Sequence, residues 1–165
     1  MNKLLPAILL LSFFSLPAAP APAVDFWQYP EAADKGSVFA SAFAASLEIA
    51  SPGIDGLEFS FSAPEFCLDY VLPIGLPFSF GASFQAESGF FAFGLRPAYH
   101  ANLDFDWLNF YFMYPISFVL SGEAWTAKYG VGFGARARIK NFFFLAAEFR
   151  PSLKGLLFGA SFKLN

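Results

Sequence analysis

Few residues in this chain could do chemistry by type, and their spacing decides what that chemistry is. The single histidine, His100, lies four residues after Arg96 on one face of an alternating stretch. A hydrolytic triad needs a nucleophile beside the imidazole and an acid that orients it, and the sequence gives no sign of either, so His100 reads as polar filler. The lone Cys67 cannot close an internal disulfide and belongs to no metal-ligand spacing; it reads as a small buried hydrophobe. Gly130-Val131-Gly132-Phe133-Gly134 superficially resembles a phosphate loop. Such a loop joins a strand to a helix, whereas this stretch continues in strand-like alternation, and its glycines read as space for long side chains opposite. Glu48, Glu58, Glu87 and Glu123 fall near turns at one end of the strands with no nucleophile among them, and read as a solvated rim. These residues predict no enzyme, no cofactor and no metal site. A formal net charge of −3 also excludes the basic patch that nucleic acid would require.

A second set of polar residues sits in mid-strand instead: Glu65, Asp69, Arg96, His100, Arg136, Arg138, Glu148 and Lys163. Charges away from water are tolerated chiefly when paired. The predicted arrangement is a cluster inside a barrel, with Glu65 and Asp69 on one strand reached across the lumen by Arg136 and Arg138 from the strand diametrically opposite. Arg96, His100, Glu148 and Lys163 are expected nearby, and the whole is expected to plug the bore.

Alternation predicts the elements that must hold this cluster. Leu108, Phe110, Phe112, Tyr114, Ile116, Phe118 and Leu120 are large and apolar at every second position, so successive side chains point to opposite faces of an extended strand. A tilted strand of about 9–11 residues is long enough to span a bilayer. Repeats of the pattern predict strands over 37–50, 57–70, 78–86, 91–101, 108–120, 124–140, 142–150 and 155–164. In the first, Phe39, Phe43, Leu47 and Ile49 are taken as one large-residue side. In the second, the apolar parity slips at Ala63-Pro64, and a bulge there keeps Glu65 and Asp69 off the apolar face. An even number of strands suits a closed antiparallel up-and-down barrel.

Which face is outside follows from volume. Most of the 25 phenylalanines fall on the apolar parity, and an eight-stranded interior is only just wide enough for side chains to fill. They belong outside, with Phe80, Phe93, Phe110, Phe112, Phe118, Phe133, Phe143 and Phe158 facing lipid. A soluble periplasmic lipocalin-like binder, with the same alternation turned inside out, is the alternative.

The N-terminus reads as a secretory signal: Lys3, an apolar run from Leu4 to Leu16, and the small-x-small site Ala21-Pro22-Ala23. Residues 1–23 are expected to be cleaved, 24–36 to form an irregular lead-in with Trp27 and Tyr29 at a water–lipid boundary, and 37–165 to form the barrel.

A signal peptide followed by eight alternating strands ending in Phe158, Ala160, Phe162 and Leu164 resembles the small eight-stranded outer-membrane proteins of Gram-negative-type envelopes, the OmpA-barrel, OmpX and OmpW group. The resemblance implies an all-β, eight-stranded antiparallel transmembrane β-barrel in the bacterial outer membrane. Its implied partners are outer-membrane lipid, the barrel-assembly machinery and periplasmic chaperones. Members usually end in an aromatic residue read by that machinery, whereas this chain ends Phe162-Lys163-Leu164-Asn165; members often carry long loops, whereas the connections here are short. The expected function is a non-enzymatic structural or surface role with a closed or very narrow lumen. An OmpW-like conduit for small hydrophobic molecules is the alternative within the same group.

Overall fold

The computed structural model describes residues 28–49, 57–150 and 155–165. The expected signal peptide, Trp27 and the turns at 50–56 and 151–154 lie outside the described residues. A 3-10 turn, Glu31–Ala33, precedes ten strand segments: β1 (Val38–Ile49), β2 (Leu57–Val71), β3 (Phe78–Glu87), β4 (Phe90–Ala101), β5 (Leu108–Met113), β6 (Ile116–Ser121), β7 (Ala124–Tyr129), β8 (Gly132–Lys140), β9 (Phe143–Arg150) and β10 (Gly155–Lys163).

All neighbours are antiparallel, and the ring closes where β1 pairs with β10, from Phe39↔Lys163 to Glu48↔Gly155. Both β5 and β6 lie along β4, while β8 lies along β5 and β7 along β6. The ten segments therefore make eight staves. This corrects the expectation of unbroken strands over 108–120 and 124–140. The first breaks at Tyr114-Pro115, because proline has no N–H to give the ladder; the Tyr114 amide donates to Pro97 O at 3.0 Å instead. The second breaks alongside it at Gly130-Val131.

Side chains sort by face. Phe80, Phe93, Phe112, Phe118 and Phe133 are exposed on the outer wall, and Phe110, Phe143 and Phe158 are partly exposed. The inner wall buries Asp69, Arg96, His100, Asn109, Arg136, Glu148, Arg150 and Ser161. An apolar exterior around a polar interior is the inverse of a soluble barrel and is the architecture of a small transmembrane β-barrel.

One stave departs from its expected face. Phe39 and Phe43 are buried inside, not outside with Leu47, because β1 bulges at Ala44. Its pairing passes from Phe43↔Glu65 to Ala45↔Phe61, so Ala44 stands opposite Ser62, Ala63 and Pro64 of β2. Each strand changes parity there, which turns Phe39 and Phe43 inward and leaves Ala40 and Ala42 on the outer wall. On β2 the slip lies at Pro64, as the sequence predicts.

At the end where β1 starts and β10 finishes, the lead-in packs onto the barrel mouth. Ala32 and Ala33 pack on Phe39, Val71 and Phe144, with Tyr29 against the same group. Tyr29 Oη donates to Leu72 O at 2.6 Å, and the Gly36 amide to Val71 O at 2.9 Å. Tyr29 is thus engaged with the barrel mouth. Lys163 Nζ donates to Asp34 Oδ1 at 2.6 Å, and Asn165 Nδ2 to Gly36 O at 2.8 Å, so the last residues of the chain clasp the lead-in.

Candidate functional site

Period-two alternation points Glu65 and Asp69 of β2, Arg96 of β4, Arg136 of β8 and Glu148 and Arg150 of β9 into the bore. They form one alternating chain. Arg150 Nη1 donates to Glu65 Oε2 at 2.6 Å and Nε to Glu148 Oε2 at 2.9 Å. Arg96 forks onto Glu148, with Nη1 to Oε2 at 3.1 Å and Nη2 to Oε1 at 2.5 Å. Its Nε donates to Asp69 Oδ1 at 3.1 Å, and Arg136 Nη2 donates to Asp69 Oδ2. Three guanidiniums meet three carboxylates, so the formal charges cancel. The ties between strands join β2 to β4, two staves apart, and β2 to β8, β2 to β9 and β4 to β9, three or four staves apart.

Aromatic and small residues complete the packing. Tyr111 Oη donates to Glu148 Oε1 at 2.7 Å. The Arg136 guanidinium lies between the Phe39 and Tyr111 rings, 4.6 and 4.7 Å from their centroids, a cation–π sandwich that requires Phe39 to face inward. Gly134 makes room for Tyr111: a Cβ there would lie 2.5 Å from Tyr111 Cζ. That is the role the sequence predicts for this glycine. Below the cluster, His100 is fully buried, its ring nitrogens 2.9 Å from Asn109 Oδ1 and 2.8 Å from Ser79 Oγ.

The expected set is therefore partly brought together. Glu65, Asp69, Arg96, Arg136 and Glu148 join the cluster; His100 fills the bore beneath it. Arg138 and Lys163 do not join. Arg138 Nη2 reaches Glu31 at 3.4 Å, and Lys163 reaches Asp34, because both lie at the end of the barrel where the lead-in supplies carboxylates. Arg150 and Tyr111 were missed as members. Arg150 shares the inward parity of Glu148 two residues earlier, and that spacing is the signal that could have found it. Tyr111 alternates with outward phenylalanines and carries no such mark.

At Asp34, partial burial acts to raise the carboxyl, and the hydrogen bonds from Lys163 and Ser37 outweigh it, leaving the group below its ordinary value of 3.8. Among the described residues no three His, Cys, Asp or Glu side chains gather to hold a metal ion.

No family model and no curated protein matches the chain. Among solved structures, the chain is similar to Ail, the attachment invasion locus protein of Yersinia pestis, with a TM-score of 0.42 and 12% identity over 78% of this chain and 98% of that one.

Proposed function

We propose that the chain is a small outer-membrane barrel protein with a closed lumen and a structural or surface role in the envelope, without catalysis of its own. The observation that carries this reading is the reversed polarity of the barrel: phenylalanines cover its outside while three arginines and three carboxylates neutralise each other inside. In lipid every backbone polar group needs an internal partner, and a closed sheet provides one. A lipocalin-like binder would carry the rings inward around a ligand, so the outward rings favour the membrane. The buried carboxylates are spent on arginines, which leaves none of them free as a general acid or base. Outer-membrane lipid, the barrel-assembly machinery and periplasmic chaperones are the partners this reading carries.

Fractionation with gel migration before and after boiling tests it. The protein should sediment with the outer membrane and migrate differently when unboiled, since closed barrels resist detergent. Identical migration together with release in the periplasmic fraction would refute it.

A further inference from the structure

The β2–β3 ladder ends early. It runs from Val71↔Ser79 to Phe66↔Phe84, while β2 continues to Leu57 along β1 and β3 continues to Glu87 along β4. The cause is local: Ser62, Ala63 and Pro64 bulge opposite Ala44, and Pro64 has no N–H to offer β3. Above Phe66 and Phe84 the wall is thus a seam between two strand edges, where Gln85 Nε2 donates to Ala63 O at 2.9 Å. The seam is flanked by Phe61, 80% exposed, and Phe84, 46% exposed, so it faces the apolar belt. Open strand edges are not tolerated against hydrocarbon without polar partners.

Two spaces flank this seam. Behind it, above the ion cluster, lies a chamber of about 220 Å³ lined by Ser46, Ser60, Ser62, Glu65 and Gln85, with Phe43 and Leu157. An adjoining lobe, also bounded by Glu65 and Gln85, adds Lys128 and Arg150. Glu65 and Arg150 satisfy each other, whereas Lys128 has no ion-pair partner among the described residues. In front, on the outer wall, a groove of about 490 Å³ runs over Ala40, Ala42 and Ala82 between Phe66, Leu68 and Phe84. Phe66 and Phe84, the sill of the seam, belong to the groove as well.

We infer that the seam holds one phosphate-bearing amphiphile, its headgroup in the serine-lined chamber with the phosphate turned toward Lys128, an exposed residue of the adjoining lobe, and its acyl chain over the Phe66–Phe84 sill in the groove outside. This rests on the membrane reading above. At about 220 Å³ the chamber falls below the roughly 300–1,000 Å³ of pockets that enclose a whole drug-sized ligand, so it suits a headgroup and not a whole lipid. The serine hydroxyls and the Gln85 amide provide donors and acceptors, and Lys128 provides the unmatched positive charge. The groove is continuous with the belt through which an acyl chain would arrive.

The test uses the full chain in phosphatidylcholine vesicles containing a lysophosphatidylglycerol with a diazirine on its acyl chain. After irradiation, adducts are mapped by mass spectrometry. Labelling of Phe66, Leu68 and Phe84 should exceed that of Phe112 and Phe133 about tenfold, and Lys128→Gln should reduce the preference. A disulfide across the seam, Ala63→Cys with Gln85→Cys on a Cys67→Ser background, should leave less preference when oxidised than when reduced, the loss of the Gln85 amide being common to both states, which makes each preparation its own folding control. Ala42→Trp, which fills the groove from outside, should abolish it independently. Even labelling of all five positions, or a preference that survives both the seam lock and Ala42→Trp, would overturn the inference and leave the membrane reading standing. Cross-links between two copies at the groove would also overturn it, by assigning the groove to a second chain. No acyl labelling anywhere on the protein would overturn both.

Discussion

At the scale of single residues, Glu148 is the hub of the lumen, because it accepts from Arg96, Arg150 and Tyr111 at once. Its removal leaves two guanidiniums short of a counter-charge in a site sealed from water, and breaking a buried pair from one side costs about 3–5 kcal/mol. Glu148→Ala is therefore expected to lower stability by that order, read from urea unfolding in detergent micelles. A loss under about 1 kcal/mol, the range of exposed pairs, would mean that water enters the site. The outer wall makes the opposite demand. Phe112 projects outward and is 47% exposed, while Met113 beside it is buried at 3%. In a bilayer Phe112→Arg should cost about 2–4 kcal/mol through the price of a mid-bilayer charge. Spin-label accessibility should find position 112 in lipid and position 113 shielded; the reverse result would invert the assigned faces.

At the scale of elements, the lead-in is docked by a few polar contacts around a small apolar seat. Ala32 and Ala33 seat it against Phe39, Val71 and Phe144, and Asp34 ties it to Lys163. The Asp34 carboxyl is held below its ordinary value of 3.8 when docked, so it binds fewer protons docked than free. Its contribution is complete above that ordinary value and is lost as pH falls through the lowered one. Hydrogen exchange at the Gly36 and Ser37 amides should accelerate in that acidic window, and Asp34→Asn should remove the pH step. A step that persists in the variant would assign it to another group. The element breaks were less legible than the elements. Pro64 announced its bulge, since a missing donor is visible in sequence. The matching bulge at Ala44 carries no such mark, and without it alternation puts Phe39 and Phe43 on the same side as Leu47. Likewise Pro115 sits within an unbroken alternation in the sequence, although it splits the stave.

At the scale of the whole molecule, eight staves give a bore that side chains can fill, and the proposed closed lumen requires the ionic chain and the docked lead-in to obstruct it in series. Wild-type protein in planar bilayers is expected to hold no steady current, and Arg136→Ala with Asp69→Ala, combined with loss of the lead-in clasp through Asp34→Asn, should produce one. The Arg136→Ala and Asp69→Ala double variant should also cost much less stability than the two single losses added, because they remove partners of one ion pair. Steady wild-type conductance would show that neither obstruction closes the pore. Sequence alone determined that the chain forms strands, how many staves they make and that the rings belong outside, because alternation is a local signal and the interior volume of eight strands is fixed by their number. It also determined that opposite charges such as Asp69 and Arg136 would meet, since face and strand order put them across one bore. Only the tertiary structure decided that Arg138 and Lys163 turn to the lead-in, that Arg150 and Tyr111 complete the cluster, and that β2 parts from β3 above Phe66. Those outcomes depend on height along the barrel, which the bulges at Ala44 and Pro64 and the register between distant strands set, and no local pattern records it.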